Sequence, residues 1–367
     1  MFWTKKYKPK SFGELIFKYS YVDILQKLSK NESTPNILLY GITGSGKSTL
    51  VKCFLRSMFG SDVEKMQIEE KTIALKGNKQ LVINIKESQF HIEVDLSHWK
   101  NNDHKIIQHL IKNSAATITI QTALLQNVDV DLKDEDEKFK FRFIIFHNAE
   151  SLSKEAQQAL RRTMEVYSES CRFIFITSTL SSLIEPLRSR CFCLRIPAPT
   201  KPDITKVLKY ILKKEQIKVP LQYLKNIAEN SRRNLQEAIL LLQQSVWNKQ
   251  KLKASIQTYP KLDWLVFIDY ISQSILKEQT AKSFLKIREY LYRLIINCIP
   301  AKTILLKLSE SIIKQIDDDN LYMSIWSLTI KYDHRIVRGN KSILHLQGFI
   351  GEMMAIASNY SKSKSDI

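Results

Sequence analysis

Gly41-Ile42-Thr43-Gly44-Ser45-Gly46-Lys47-Ser48-Thr49 ends a glycine-rich stretch with a lysine and a hydroxyl, in the spacing G-x-x-x-x-G-K-S. The chemistry open to such a string is phosphate binding. Its glycines let backbone N–H groups turn inward around an anion, Lys47 can reach β and γ oxygens, and Ser48 can ligate Mg²⁺. The loop must sit between a strand and a helix, because the helix N-terminus supplies further N–H groups and a favourable dipole. Asn36-Ile37-Leu38-Leu39-Tyr40, bounded by Pro35, predicts the buried strand. Leu50-Val51-Lys52-Cys53-Phe54-Leu55 has helical periodicity and meets no breaker before Gly60. In that context the sequence describes a nucleotide binder, or a descendant of one.

The rest of the chain can be asked what else it could be. At 367 residues it has room for two or three domains, each with its own core. Hydrophobic residues make up 44%, with only nine glycines and nine prolines, which describes a folded, helix-rich chain rather than a disordered one. The formal charge of +19 points to a polyanionic partner, nucleic acid first and an acidic protein or membrane surface second. Cys53, Cys171, Cys191, Cys193 and Cys298 form no metal-ligand spacing, and free, mostly apolar-flanked cysteines fit a reducing compartment. The opening residues are no signal peptide and no apolar run reaches membrane-spanning length, so a soluble intracellular protein with no membrane partner is expected.

Along the chain, Trp3–Ser11 is a basic, aromatic arm, suited either to lying beside a nucleotide base or to strapping the N-terminus down. A helix is predicted from Tyr21 to Leu28. Three short alternating runs between Ile68 and Leu96 read as β-hairpin material. Asn101-Asn102-Asp103 is placed to cap a helix from His104 to Ala116, and Asp129–Glu137 reads as a solvated acidic loop. Phe141–Phe146, Cys171–Thr177 and Phe192–Ile196 predict further strands. A helix from Ser151–Glu155 to Tyr167 and a short one over Ser182–Leu187 lie between them. Pro197, Pro199 and Pro202 mark a break. Helices follow over Asp203–Glu215, Leu221–Asn230, Leu235–Asn248, Trp264–Ile275, Thr280–Asn297, Lys302–Lys314, Leu321–Lys331 and Lys341–Ala357, with a frayed tail. The expected fold is an α/β P-loop domain with a parallel sheet between helices over 1–199. A small helical lid over 200–255, an all-α domain over 256–358 and a tail over 359–367 complete it.

Several separated motifs, in order, resemble the small subunits of replication factor C, the eukaryotic sliding-clamp loader, within the AAA+ family of P-loop ATPases. Trp3-x-x-Lys6-Tyr7-Lys8-Pro9 is similar to its W-x-x-K-Y-R-P opening. Ala156-Gln157-Gln158-Ala159-Leu160-Arg161-Arg162-Thr163-Met164-Glu165 is similar to its A-Q-x-A-L-R-R-T-M-E helix. Ile184-Glu185-Pro186-Leu187-Arg188-Ser189-Arg190-Cys191 is similar to its I-x-P-x-x-S-R-C segment. Cys298-Ile299-Pro300-Ala301 and Gly339–Phe349 resemble the member at the end of the five-subunit arc, regarded as not hydrolysing ATP.

The resemblance implies ATP or ADP held by Gly41, Thr43, Gly44, Ser45, Gly46, Lys47, Ser48 and Thr49, with Tyr7 and Pro9 beside it. Mg²⁺ at Ser48 is implied only in weakened form. A working ATPase of this family ends its second strand in an Asp for Mg²⁺ and a Glu that orients water. His147 and Asn148 stand at those places, so a degenerate site that binds without turnover is implied. Glu150, three positions after His147, stays open as a substitute carboxylate. Ser178 replaces the polar Asn after the third strand. Gln236 falls at the lid arginine, with Arg232 and Arg233 near. By the same resemblance Arg190 is an arginine finger acting in trans on a neighbouring subunit's γ-phosphate.

Lys105, Arg161 and Arg162 are the candidate DNA contacts, with intersubunit ion pairs open for the two arginines, and Ser97–Lys112 would face the clamp. The implied partners are the other subunits of a hetero-pentamer, the ring clamp proliferating cell nuclear antigen and primer-template DNA, in the nucleus, in replication and repair. An autonomous AAA+ ATPase acting on nucleic acid, and a scaffold keeping the loop as a fossil, are the other classes. A carboxylate is missing at His147 for the first, and the intact Lys47-Ser48 speaks against the second.

Overall fold

The computed structural model describes residues 1–17, 19–31, 33–75, 79–98, 103–126, 141–247, 262–316, 318–339 and 341–365. The chain divides into two compact units, residues 1–259 and 260–367. The predicted acidic loop Asp129–Glu137 and the capping residues Asn101 and Asn102 lie outside the described residues.

The first unit is built on a seven-stranded sheet, with β1 Ile37–Tyr40, β2 Gln67–Leu75, β3 Lys79–Glu87, β4 His91–Asp95, β5 Arg142–His147, β6 Cys171–Thr177 and β7 Phe192–Arg195 in the order β2-β3-β4-β5-β6-β1-β7. The five strands from β4 to β7 across the sheet are parallel, and β2 and β3 add an antiparallel edge. The stretch read as hairpin material is thus split. β2 and β3 form the hairpin, whereas β4 joins the parallel core through β5.

Strand residues alternate between two cores. Leu38, Ile144, Phe146, Phe173 and Phe175 face one side, and Ile37, Leu39, Phe143, Ile145, Ile174 and Ile176 face the other. Continuous apolar strands are what a sheet covered on both faces requires. On the first side Phe146 stacks on Phe173 and Phe175, beneath α4 Asp103–Gln126 and α5 Lys154–Val166. On the second lie α2 Ser20–Leu28 and α3 Lys47–Phe59, with the short α1 Trp3–Lys6 at the N-terminus.

Several helix boundaries depart from expectation. Asp103 does not cap its own helix by the usual side-chain bond one turn on. Its carboxylate accepts from His104 N–H, and from Ser153 N–H (2.7 Å) and Oγ (3.0 Å) at the N-cap of α5. That ties the starts of α4 and α5 together. α4 runs to Gln126, ten residues past the expected end, through a stretch without Gly or Pro. The predicted Ser182–Leu187 helix shrinks to α6 Glu185–Arg188. Pro202 lies inside the first turn of α7 Lys201–Glu215, where a missing N–H costs nothing, and a Thr200/Asp203 capping box starts that helix. With α8 Leu221–Asn230 and α9 Leu235–Trp247 it makes a three-helix lid.

The secondary structure of the second unit, among the described residues, is helical: α10 Asp263–Lys277, α11 Ala281–Ile296, α12 Ala301–Ile313, α13 Asp319–Arg338 and α14 Ser342–Ser365. Ile271, Leu291, Leu305, Ile325, Leu346 and Phe349 are among its core residues. Its buried hydroxyls are paired, Ser272 with Ser311 at 2.9 Å and Ser309 with Thr329 at 2.8 Å, as burial of polar groups demands. α13 runs seven residues past the expected Lys331, because Tyr332 is buried against Phe349 and bonds Glu352. The tail expected to fray continues α14 to Ser365.

Candidate nucleotide site

β1 pairs in parallel with β6 on one side and β7 on the other, so its C-terminal end lies in the crevice where open α/β sheets bind ligands. Register aligns Tyr40 with Thr177 and Arg195, and Asp95 with His147, which brings the ends of all five parallel strands to one edge. Gly41 leaves β1 with its N–H donated to Thr177 O and no room for a side chain, since a Cβ there would meet Ile196 O at 2.1 Å. Gly44 and Gly46 have φ of 80° and 91°, the left-handed region that glycine reaches without strain.

The loop is shaped for an anion. α3 begins at Lys47 with no side-chain cap, leaving its first N–H groups facing the loop. Lys47 is buried, and its ammonium donates to Gly41 O at 2.5 Å and Ile42 O at 2.9 Å. Burial draws its pKa below the ordinary lysine value, against the pull of the Glu150 carboxylate. Ser45 Oγ is buried with no hydrogen-bond partner among the described residues. An orphaned hydroxyl, a lysine folded onto loop carbonyls and a bare helix N-terminus fit a nucleotide's phosphates.

The acidic side of the edge is a set of mutually paired side chains. His147 Nε2 stands 3.7 Å from Glu93 Oε2, and Lys52 Nζ is 3.6 Å from Glu93 Oε1. Burial alone would raise the Glu93 pKa, but the neighbouring His147 imidazole and the Lys52 charge more than offset it and hold it at about 2. Asn148, in the left-handed region at φ 54°, donates from Nδ2 to Asp95 Oδ1 at 3.0 Å. Both predicted positions are therefore committed to partners within the sheet edge. Glu150 accepts from Ser178 N–H and Oγ, each at 3.0 Å. Burial raises its pKa, yet hydrogen bonds from backbone N–H groups and Ser178 bring it below the ordinary carboxylate value.

The lid reaches the loop through a residue that sequence reasoning passed over. A Cβ on Gly44 would lie 1.9 Å from Asn234 Oδ1, so the Asn234 side chain packs on the loop backbone. The same oxygen accepts from Glu237 N–H at the start of α9. The one available signal was an Asn just before a helical run. Gln236 is exposed, and Arg233, at φ 65°, gives its guanidinium to the carbonyls of Ala198 and Pro199.

The N-terminal arm is anchored on the lid side. Trp3 is buried with its N–H on Gln243 Oε1 at 2.9 Å, and Lys6 Nζ and Tyr7 Oη bond Glu215 at 2.7 and 2.5 Å. Pro9 O accepts from Cys53 Sγ on α3. Burial, then the charge of Lys52, hold the Lys8 ammonium below the usual lysine value.

Arg190 is not part of this cleft's hydrogen bonding. It follows α6, with Nε on Glu165 Oε1 at 2.8 Å, Nη2 on the same oxygen, and Nη1 on Pro186 O at 2.9 Å. Arg161 and Arg162 are exposed in the second half of α5, and Lys105 is half-buried in the first turn of α4. Among the described residues no group of His, Cys, Asp and Glu could hold a metal, and no helix is long and apolar enough to cross a membrane.

The parallel sheet, the glycine-rich loop on α3 and the helical lid define a nucleotide-binding module of the AAA+ class. The replication factor C subunit 3 C-terminal domain matches residues 264–361, the RCF1/5-like AAA+ ATPase lid domain 206–244, and the DNA polymerase III delta subunit 19–200. Replication factor C subunit 5 of Schizosaccharomyces pombe is 37% identical over 97% of this chain and 96% of its own. Replication factor C subunit 3 of Homo sapiens is 33% identical over 98% and 96%, and subunit 5 of Saccharomyces cerevisiae 34% over 96% and 98%. This chain belongs to the replication factor C subunit 3/5 family. A solved structure of the Thermotoga maritima RuvB Holliday junction branch migration motor aligns with 74% of this chain and 79% of that one, at 15% identity and a TM-score of 0.44, a slight likeness.

Proposed function

We propose that this clamp-loader subunit binds ATP or ADP with little or no hydrolysis of its own and completes a neighbour's catalytic site with Arg190. The observation that carries it is the contrast at one sheet edge. The phosphate loop is intact, while His147 and Asn148 are tied to Glu93 and Asp95. Bound nucleotide would supply the phosphate charge that Lys47 and the α3 N-terminus are built to hold. Ser48 is the residue that would ligate Mg²⁺, with an imidazole rather than a carboxylate opposite, which suits that hard ion poorly. Asn148 offers no basic group to accept a proton from water.

In this proposal residues 1–199 form the nucleotide-binding domain, 200–255 the lid and 256–358 a collar that joins the subunit to a hetero-pentamer. Lys105, Arg161 and Arg162 meet the phosphates of primer-template DNA, independently of sequence. The complex then opens and loads the ring clamp proliferating cell nuclear antigen, in the nucleus, in replication and repair. An autonomous ATPase is the second reading, favoured only by Glu150, whose charge acts on Lys47. Its carboxylate is held by Ser178 in the ionised state, without the raised pKa of a general base at neutral pH. Purifying the chain and quantifying the nucleotide it retains and turns over separates the two: retention without turnover supports the subunit, and turnover supports the motor.

A further inference from the structure

We infer that Glu165 is a positioning residue for Arg190, fixing its guanidinium so that one edge alone is presented to a phosphate outside this chain. This rests on the proposal that Arg190 acts on a neighbour's nucleotide. A guanidinium has five N–H groups in a rigid plane. The side edge, Nε and Nη2, is given to Glu165 Oε1, and one N–H of Nη1 goes to Pro186 O. Among the described residues two N–H groups remain without a partner, one on each terminal nitrogen. They form the end-on fork that matches two oxygens of a phosphate.

The holding groups come from two elements. Glu165 stands in the last turn of α5, whereas Pro186 belongs to the first turn of α6, four residues before the arginine itself. Their carboxylate and carbonyl grip the plane from its side and its rear. Arg161, four residues before Glu165 on the same helix face, offers that carboxylate a local partner. The carboxylate nevertheless goes to Arg190. Leu160 and Met164 bury the opposite face of α5, so the helix carrying Glu165 is itself fixed. A long side chain loses much rotamer freedom on reaching a transition state, and a pre-formed fork has already lost it.

The test is single-turnover ATP hydrolysis by the complex reassembled from this chain and its neighbouring subunits, with ATP affinity measured in parallel. Glu165→Ala should lower the rate constant at saturating ATP by about 10- to 100-fold, the scale of a misplaced transition-state contact, with affinity unchanged. Glu165→Gln keeps a neutral acceptor and should lose about three-fold, since an uncharged hydrogen bond is roughly half as strong. In an Arg190→Ala background neither change should cost more. Both variants alter a surface side chain, and unchanged melting of the purified chain checks that they fold. A Glu165→Ala complex as fast as the wild type, or faster, overturns the positioning role while an Arg190→Ala loss leaves the finger standing. If Arg190→Ala itself has no effect, the finger proposal falls and this inference with it.

Discussion

His147 Nε2 lies 3.7 Å from Glu93 Oε2, at the edge where β4 and β5 end side by side. Lys52 of α3 reaches the same carboxylate from the other side. Glu93, buried itself, thus has His147 and Lys52, both partly exposed, on either side. Networks of this kind are costly to break by halves, because removing one member leaves the others desolvated without a partner.

Glu93→Gln should therefore destabilise the first unit by about 2 kcal/mol, the scale of removing a buried charge from beside its charged neighbours. Chemical denaturation with a probe in the sheet checks this. An unchanged midpoint would mean that Lys52 and His147 do not depend on the carboxylate.

Acid should weaken the fold before it reaches the carboxylates. Burial holds the His91 pKa down to about 4, against 6.5 in an unfolded chain. A folded-state value below the unfolded one means that the unfolded chain takes up the proton first. Stability from neutral His91 is then present above about pH 6.5 and lost as pH falls toward 4, on the order of 3 kcal/mol in all. Glu93, with its pKa at about 2, adds a second loss between the ordinary carboxylate range and pH 2. Melting temperatures across pH 7.5–4.5 should fall for the wild type and flatten for His91→Leu. Parallel slopes would remove His91 from the account.

Most of the phosphate cradle was legible in the sequence, because backbone N–H groups, glycine torsions and a lysine at fixed spacing are local properties. That His147 and Asn148 come at the end of the apolar run of β5 was legible too. Where those two side chains turn was not. Glu93 and Asp95 sit some fifty residues earlier in a stretch read as a hairpin, and only parallel pairing of β4 with β5 brings them alongside. Asn234 escaped for the same reason, since its contact with Gly44 spans most of the unit. Helix ends were missed where no breaker stopped the helix, as beyond Ala116, or where a proline fell in a first turn, as at Pro202.

Gly44→Ala should cost nucleotide affinity twice over, through backbone strain at φ 80° and through collision with Asn234. Strain of roughly 1–2 kcal/mol corresponds to about a ten-fold weaker Kd. Adding Asn234→Gly should recover the steric part only. Fluorescent-nucleotide titration of the three variants checks it, and full recovery in the double variant would show that torsion is not limiting.

Lys47→Ala removes the one buried cation of the loop and should weaken binding of ATP and ADP by about 100-fold or more, since a charge-assisted contact to phosphate is worth roughly 3 kcal/mol. Equilibrium dialysis with radiolabelled nucleotide is the check. Loss of less than about three-fold would mean that Lys47 stays on Gly41 and Ile42 even with nucleotide bound.

The most direct test of the whole account is single-turnover hydrolysis of radiolabelled ATP by the purified chain, and then by its complex with and without Arg190→Ala. The chain alone should retain nucleotide and release no phosphate, while the complex should lose about 10³-fold or more of one site's rate when Arg190 is removed. Sustained phosphate release by the isolated chain would contradict it, and would make Glu150, held by Ser178, the group to explain next.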